Sequence, residues 1–426
     1  MQIDSLWAKT ALAAPLCPAL SGTLEADVLV VGAGYTGLSA ALHLAEAGVH
    51  VIVVDTEEPG YGCSGRNGGQ VNPGSTKMSP SEVLDTLGPV WGEKFLQFGD
   101  RSCDLVFELI ERHQIDCEAL RPGYVQGGYG ARGQRNNATW AREWGERGIS
   151  IDTLNADETA ALIGSRGYDW GLLDPRGGNV QPLSYARGLA HAAMAAGATV
   201  AANSRVNKLK RLGSSWLAQL ADAQVTCRHV LLATNGYTDD LWPGLRQSVV
   251  PTTSFVTATK PLSHNIAVSV LPGGHAVSET ARILVYYRKD AAGRFIIGGH
   301  GNWFDTQTTG SDAHVQAAAV RLFPELADAE WEYHWAGWPA VTRDHTPKLF
   351  ALDEGVHAGL GYNGRGVGSA TLMGQQLANV VLDAAEPLIQ VTPLKGFAFH
   401  GFRQLGISYH LLSRSWLDRL DRRASA

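Results

Sequence analysis

Residues 26–55, ADVLVVGAGYTGLSAALHLAEAGVHVIVVD, read as one complete strand-turn-helix-strand unit built to hold a dinucleotide. Val28 to Val31 form an apolar strand, and Gly32, Gly34 and Gly37 give the spacing G-x-G-x-x-G, with Tyr35 and Thr36 opening a helix between them. That helix puts Leu38, Ala41, Leu42 and Ala45 on one face, Gly48 ends it, and Val49 to Val54 make a second strand closed by Asp55. Each part has a physical job. Gly32 lets the chain turn sharply, Gly34 removes the side chain that would block a pyrophosphate, and Gly37 lets helix and strand pack closely. The helix N-terminus offers N–H groups and a positive dipole end to phosphates, while Asp55 can accept hydrogen bonds from a ribose and would repel a 2′-phosphate.

Composition narrows the classes. At 426 residues the chain exceeds what one core usually fills, so two interleaved domains are expected. Hydrophobic residues at 45% and charged residues at 18% describe a globular protein, and a net charge of −6 without a basic run gives nucleic acid nothing to grip. The five cysteines, Cys17, Cys63, Cys103, Cys117 and Cys227, are scattered and never in C-x-x-C, which fits a reducing cytoplasm and no metal site. Pro15 and Pro18 interrupt the short apolar stretch near the N-terminus, which lacks the basic start of a signal peptide, and no segment has the length of a membrane span. A cytoplasmic location is expected.

Residues 1–25 read as an arm laid over the nucleotide domain and anchored by Trp7. The loop 59–75, PGYGCSGRNGGQVNPGS, is too rich in Gly and Asn for a regular element, and loops of that length are usually functional or disordered. Helical periodicity follows from Ser79 to His113, with SPSE supplying N-cap residues. Short strands and turns are expected over 115–180, a helix over Pro182 to Ala196, and strands at Ala198–Val206, Trp216–Leu220 and Val225–Ala233. A β-rich, aromatic region comes next, with strands at Ser248–Thr259, Arg282–Tyr287, Arg294–Gly298 and Glu332–Trp338, as an antiparallel sheet carrying a substrate pocket would show. A helix is expected at Asp312–Leu322, and the glycine loop Gly359–Val367 opens another that runs to about Asp383.

Three features together resemble flavoproteins of the D-amino-acid-oxidase-like superfamily: the fingerprint, the segment VLLATNGYT at 230–238, and HAGLGYNGRGVG at 357–368. The loop SGRNGGQ at 64–70, with GYNGRGV at 361–367, is similar to the γ-glutamylputrescine oxidase branch. The resemblance implies an α/β (α+β overall) fold in which a Rossmann-like FAD-binding domain, residues 1–80, 150–245 and 345–426, is interleaved with an antiparallel β-sheet substrate domain, residues 81–149 and 246–344. It implies oxidation of the C–N bond of an amine or amino acid to an imine by hydride transfer to FAD. A γ-glutamylated diamine competes here with a cyclic secondary amino acid of the pipecolate or proline type. An NAD-linked dehydrogenase and a non-catalytic flavin-binding protein are the alternatives from other classes. Some relatives tether flavin through a late cysteine or through a histidine beside the early loop; neither is present, so non-covalent FAD is expected.

The resemblance places Val206, Ala233, Thr234, Asn235 and Gly236 where the chain passes the cofactor. Ser64 can hydrogen-bond a phosphate and Arg66 can neutralise one or serve in a surface salt bridge. Asn67, Gly68, Gly69 and Gln70 are candidates to line the flavin. Gly361, Asn363, Gly364, Gly366 and Val367 bring a helix N-terminus to the pyrimidine edge, where negative charge collects on reduction. Arg365 there either adds a full charge or points to solvent.

Amine oxidation on a flavin needs no metal or side-chain nucleophile, only a pocket with aromatic walls and a few polar anchors. Candidates lie in the β-rich region. On a strand Tyr286 and Arg288 share one face and Tyr287 takes the other, so Arg288 could bind a substrate carboxylate with Tyr286 assisting, or simply pair with an acid. His334, Trp335 and Trp338 could form a rim for a cation or apolar chain, or be core packing. Other histidines, such as His191 and His314, read as structural or solvent-facing.

Gly34→Val should abolish flavin retention, because an isopropyl group occupies the space a pyrophosphate needs. Purification of this variant with stoichiometric FAD would place the nucleotide elsewhere.

Overall fold

The computed structural model describes residues 4–281, 284–300, 312–397 and 400–402. Arg282, at the start of one expected strand, and the tail beyond residue 402 lie outside the described residues. The first strand, Gly22–Val31, is longer than its apolar half because it pairs in parallel with Ala223–Leu232 along its length, from Gly22 opposite Ala223 to Val31 opposite Leu232. Around this pair a nine-stranded sheet forms. Its parallel centre runs Val356–Leu360, Ala223–Leu232, Gly22–Val31, Val51–Val54 and Thr199–Ala201. An antiparallel ribbon, Lys208–Leu212 and Ser215–Gln219, continues from Ala223–Leu232.

Strands buried on both faces read as continuous apolar runs, and alternation sends each residue to one of two cores. Val28, Val30, Val51, Val53 and Leu231 join a core made with the helices Tyr35–Glu46, Pro80–Arg112, Pro182–Ala195 and Gly366–Leu382. Leu29, Val31, Ile52, Val54 and Leu232 face the other way, beside Trp216 of the ribbon. The two helices that matter most to the site touch backbone to backbone. A Cβ on Gly374 of the late helix would lie 2.5 Å from the Thr36 oxygen and 2.6 Å from Ser39 Cβ of the fingerprint helix.

The second sheet has eight strands in the order Trp331–Gly337, Ser254–Thr259, Phe295–His300, Val285–Lys289, Ala276–Glu279, Tyr124–Gly128, Trp170–Asp174 and Asp152–Asn155. One face carries Tyr287, Phe295 and Val125 against Phe323 and the helix Ala313–Leu322. On the other, Val256, Ile296 and Trp335 meet Leu6 and Trp7 of the N-terminal helix Leu6–Thr10 and Leu183 of the helix beside the first sheet. The second sheet therefore packs through this cluster onto a helix that covers the first.

Several expectations change. Where strands and turns were expected over 115–180, helices Gly130–Gly145 and Ala156–Ile163 also occur. Glycines dilute the first, whose Trp140, Ala141 and Trp144 nonetheless share a face, and Asn155 with Glu158 forms a capping box on the second. The strand expected to reach Val206 ends at Ala201, since Asn203 adopts a left-handed φ of 52°. The boundary at residue 150 cuts the second sheet, because Asp152–Asn155 and Trp170–Asp174 pair there beside Tyr124–Gly128. Conversely, Pro80–Arg112, assigned by sequence to the substrate domain, buries Phe95, Phe98 and Leu105 in the core of the first sheet. No described helix is long and apolar enough to cross a membrane.

Gly374→Ala should cost about 1–3 kcal/mol through overpacking of the two helices. Thermal unfolding of the two proteins under one scan rate checks this, and an unchanged Tm would mean the helices separate freely.

Candidate active site and cofactor cradle

Four chain segments leave the carboxyl ends of neighbouring parallel strands and meet there: Gly32 after Val31, Asp55 after Val54, Ala233 after Leu232, and Gly361 after Leu360. In parallel sheets this is where ligands bind. Gly32 has φ +111°, and a Cβ on it would fall 2.8 Å from the Ala233 oxygen; one on Gly37 would fall 1.9 Å from the Gly32 oxygen. Only glycine permits either approach.

Gly34 caps the fingerprint helix without a side chain. Ser64 Oγ reaches in from the glycine loop and accepts the Tyr35 N–H at 3.1 Å, which leaves the hydroxyl proton for a phosphate oxygen. A Cβ on Gly34 would lie 2.9 Å from that Oγ. Asp55 accepts N–H groups from Ala33 at 2.7 Å and Glu57 at 3.0 Å, and burial nevertheless raises its carboxyl above the ordinary value. Its remaining lone pairs suit ribose hydroxyls.

The late loop is tied to both neighbours. Tyr362 gives its phenolic proton to the Gly359 oxygen at 3.0 Å, so Thr36 Oγ1, 2.5 Å away, is the donor in their contact. Asn235, in a left-handed φ of 42°, accepts the Gly361 N–H at 2.9 Å. Asn363 takes the Thr342 N–H at 2.9 Å and donates to the Gly361 oxygen at 2.7 Å. Thr234 pairs with Thr238, and Gly236 passes so near Trp338 that a Cβ would meet its oxygen at 2.1 Å. Gly364 has φ +83° with open space where a Cβ would stand, and the helix beginning at Gly366 and the buried Val367 has no side-chain cap. Two helix starts that lack side-chain caps and carry glycines suit a phosphorylated cofactor.

Other candidates are placed differently. Arg365 is half-buried and donates to the Pro73 oxygen, which turns its guanidinium back toward the glycine loop. Arg66 is buried; its Nε donates to the Tyr61 oxygen at 2.7 Å and its plane covers the Tyr61 ring at 4.4 Å, so it is not a surface residue. Asn67 acts within the loop, donating to the Ser64 oxygen at 2.8 Å and accepting the Gly69 N–H at 2.8 Å. Gln70 crosses to the second sheet and donates to the Val277 and Tyr287 oxygens. Gly68 and Gly69 lie under Tyr286 and Arg288, and Val206 sits in the core on the far face of the first sheet.

Strand alternation holds in the second sheet. Tyr286 and Arg288 face the glycine loop, while Tyr287 lies among Phe295 and Phe323. Arg288, only 2% exposed, donates to the Gly68 oxygen at 2.7 Å and the Val180 oxygen at 2.8 Å and covers the Trp7 ring. Burial lowers it to about 10. An arginine so committed fastens backbone; it is not an open carboxylate fork. Tyr286 pairs with Ser254 at 2.9 Å, and burial pushes its phenol up to about 12.

His334 and Trp335 point to opposite faces of their strand and form no common rim. His334 meets Asp312 and Thr257 at the surface, whereas Trp335 is buried edge-on to Trp7, 5.5 Å between ring centroids. Trp338 stands apart, against Tyr237. Sequence reasoning anchored the arm through Trp7 but gave no signal that Trp7, Val180 or Ser254 meets these loops, because the contacts bridge distant segments.

Comparison with known proteins agrees with this geometry. The profile of the DAO family, described as FAD dependent oxidoreductase, matches residues 27–380. The chain is 31% identical to the probable oxidoreductase OrdL of Rhizobium meliloti, over 96% of this chain and 95% of that protein. It is 32% identical to the gamma-glutamylputrescine oxidoreductase of Escherichia coli, over 95% of this chain and 94% of that protein. Among solved structures, glycine oxidase from Geobacillus kaustophilus superposes with a TM-score of 0.74 at 20% identity, covering 88% of this chain and 100% of that chain. L-proline dehydrogenase from P.horikoshii gives 0.72 at 17% identity, covering 86% and 96%. These two likenesses concern the fold alone.

Cys63, beside Ser64, is the cysteine within the glycine loop, and burial pushes its thiol up to about 12, so it is no thiolate nucleophile at neutral pH. Acid precipitation should therefore release all flavin into the supernatant. Colour retained by the washed pellet would reveal a covalent bond.

Proposed function

The chain belongs to the DAO family of FAD-dependent oxidoreductases, and from that premise we propose that it oxidises the terminal amine of a γ-glutamylated diamine to an imine. The coarser activity, FAD-dependent oxidation of an amine or amino acid, follows from the family itself. An NAD-linked reading is thereby set aside. The finer reading draws on the near end-to-end similarity to gamma-glutamylputrescine oxidoreductase, and one observation in the site carries it. Arg66, Arg288 and Arg365 all give guanidinium protons to backbone carbonyls. A cyclic α-amino acid places a carboxylate directly beside the oxidised carbon and would call on such a cation there. An amine end remote from any carboxylate makes no such demand.

Bound FAD supplies the two-electron acceptor. The fingerprint helix, Ser64 and Asp55 would hold its phosphates and ribose, and the late helix start would face the end where charge develops on reduction. Gly361, Gly364 and Gly366 with Val367 would leave room for the ring. Tyr286 is suited to the substrate nitrogen. Ser254 Oγ donates to the Gly299 oxygen at 3.0 Å, so the hydroxyl contact with Tyr286 uses the phenol proton and leaves its lone pairs as acceptors for an amine N–H. A phenol held at about 12 stays protonated at neutral pH and binds without acting as the base. The substrate thus gives up a hydride from carbon and a proton from nitrogen, and water hydrolyses the imine to an aldehyde and ammonia. A cytoplasmic location is part of the same reading.

Anaerobic mixing with γ-glutamylputrescine, putrescine, proline and pipecolate, followed by bleaching of the flavin's visible absorption, tests the choice. The γ-glutamylated diamine should bleach the flavin fastest. Bleaching by proline or pipecolate alone would overturn the reading.

A further inference from the structure

Resting on the assignment of loop 64–70 to the flavin end of the cradle, we propose that Trp7, Trp335 and Arg288 are positioning residues that hold this loop in its cofactor-binding shape. Four consecutive carbonyls of the loop are each taken by a donor from another part of the chain. The Arg66 oxygen accepts the Trp335 indole N–H at 2.9 Å, and the Asn67 oxygen accepts that of Trp7 at 2.8 Å. The Gly68 oxygen accepts Arg288 Nε–H at 2.7 Å, and the Gly69 oxygen accepts the Val180 N–H at 2.8 Å.

The donors support one another. Trp7 and Trp335 pack edge to face, their planes at 74°, and the Arg288 guanidinium carbon lies 4.9 Å from the Trp7 ring centre. Gln181 Nε2 donates to the Trp7 oxygen at 3.0 Å, and Arg288 Nη2 donates to the Val180 oxygen at 2.8 Å, so segment 180–181 closes the circle. Trp7, Trp335 and Arg288 are 0%, 3% and 2% exposed. They act through the loop and not on substrate.

Glycine makes this arrangement both necessary and possible. A segment containing Gly65, Gly68 and Gly69 loses much backbone freedom when ordered, and a cofactor that had to order it would bind more weakly for it. A Cβ on Gly68 would stand 2.6 Å from the Tyr286 ring, and one on Gly69 2.7 Å from Arg288 Nη2. At Gly69 the approach of Val180 and Arg288 leaves no room for a side chain. A trans peptide points its N–H opposite its C=O. Capture of four carbonyls by one cluster therefore fixes the path of the loop, and the opposite N–H groups of Asn67 and Gly69 are in turn taken by the Cys63 oxygen and Asn67 Oδ1.

Trp7→Phe and Trp335→Phe keep an aromatic ring and remove the N–H donor; Leu6→Ala removes packing from the same apolar cluster without removing any side-chain donor. The readouts are the FAD dissociation constant from titration of apoprotein and the visible circular dichroism of bound flavin. The double Phe variant should bind FAD about ten-fold more weakly or worse and change the flavin dichroism, two lost hydrogen bonds amounting to about 1.4 kcal/mol or more. Leu6→Ala should lower Tm and leave both flavin readouts as in wild type. Should the double variant not fold, the single Trp7→Phe variant carries the comparison, with an expected loss of about three-fold. Wild-type affinity and dichroism in the folded Phe variant, or an equal flavin defect in Leu6→Ala, would overturn the proposal. Wild-type protein that binds FAD but is bleached by no amine would overturn the substrate reading and leave this one standing.

Discussion

Backbone carbonyls buried between regular elements must find hydrogen-bond partners, and that constraint organises this molecule around residues 66–69, between the 3-10 turn Cys63–Gly65 and the short strand Gln70–Val71. The loop cannot satisfy itself. Its carbonyls reach the N-terminal helix, the segment after Asn179, the middle of the second sheet and the strand Trp331–Gly337. Each element must stand within a few ångströms of its place for the set to close. Gln70 adds a further tie by donating to two carbonyls of the second sheet, and Gln70–Val71 pairs with Gly178–Asn179. The mutual placement of the two sheets and the shape of the cofactor loop are thus one problem with one solution.

The same constraint explains where charge is buried. Taking a guanidinium out of water is costly, and Arg288 has no ion pair with a carboxylate among the described residues. Carbonyl dipoles and the face of Trp7 offset part of that cost, and burial lowers the group to about 10, which still leaves it charged at neutral pH. Arg66 follows a similar pattern against Tyr61. Positive charge held near a site for an anionic cofactor is favourable there.

Much of the cradle is legible in sequence because its rules are local. The fingerprint glycines are demanded by contacts within one strand-turn-helix unit and its neighbour strand, and Ser79 with Glu82 marks a helix start through bonds three residues apart. The alternation of Tyr286, Tyr287 and Arg288 is equally local. What each face meets is not: Tyr287 enters an aromatic core and Arg288 a ring of carbonyls, and nothing in the YYR triplet distinguishes these from a pocket. The aromatic run 331–338 left a pocket rim and core packing open for the same reason, and period two sends His334 to the surface and Trp335 to the interior.

By itself the sequence determined the nucleotide-binding unit, the family and hence FAD, because those depend on backbone conformations that only glycine in fixed spacing allows. It also indicated most strands and helices through hydrophobic period and caps, although the capped helix Ala156–Ile163 emerged only in the structure. Only the tertiary structure decided that helix Pro80–Arg112 belongs with the first sheet, that strands from 152–174 belong with the second, and that the arginines of the loops fasten backbone. The physical reason is that a carbonyl accepts from any donor that geometry brings near it. Partners separated by 60 to 269 residues leave no periodic trace in the chain.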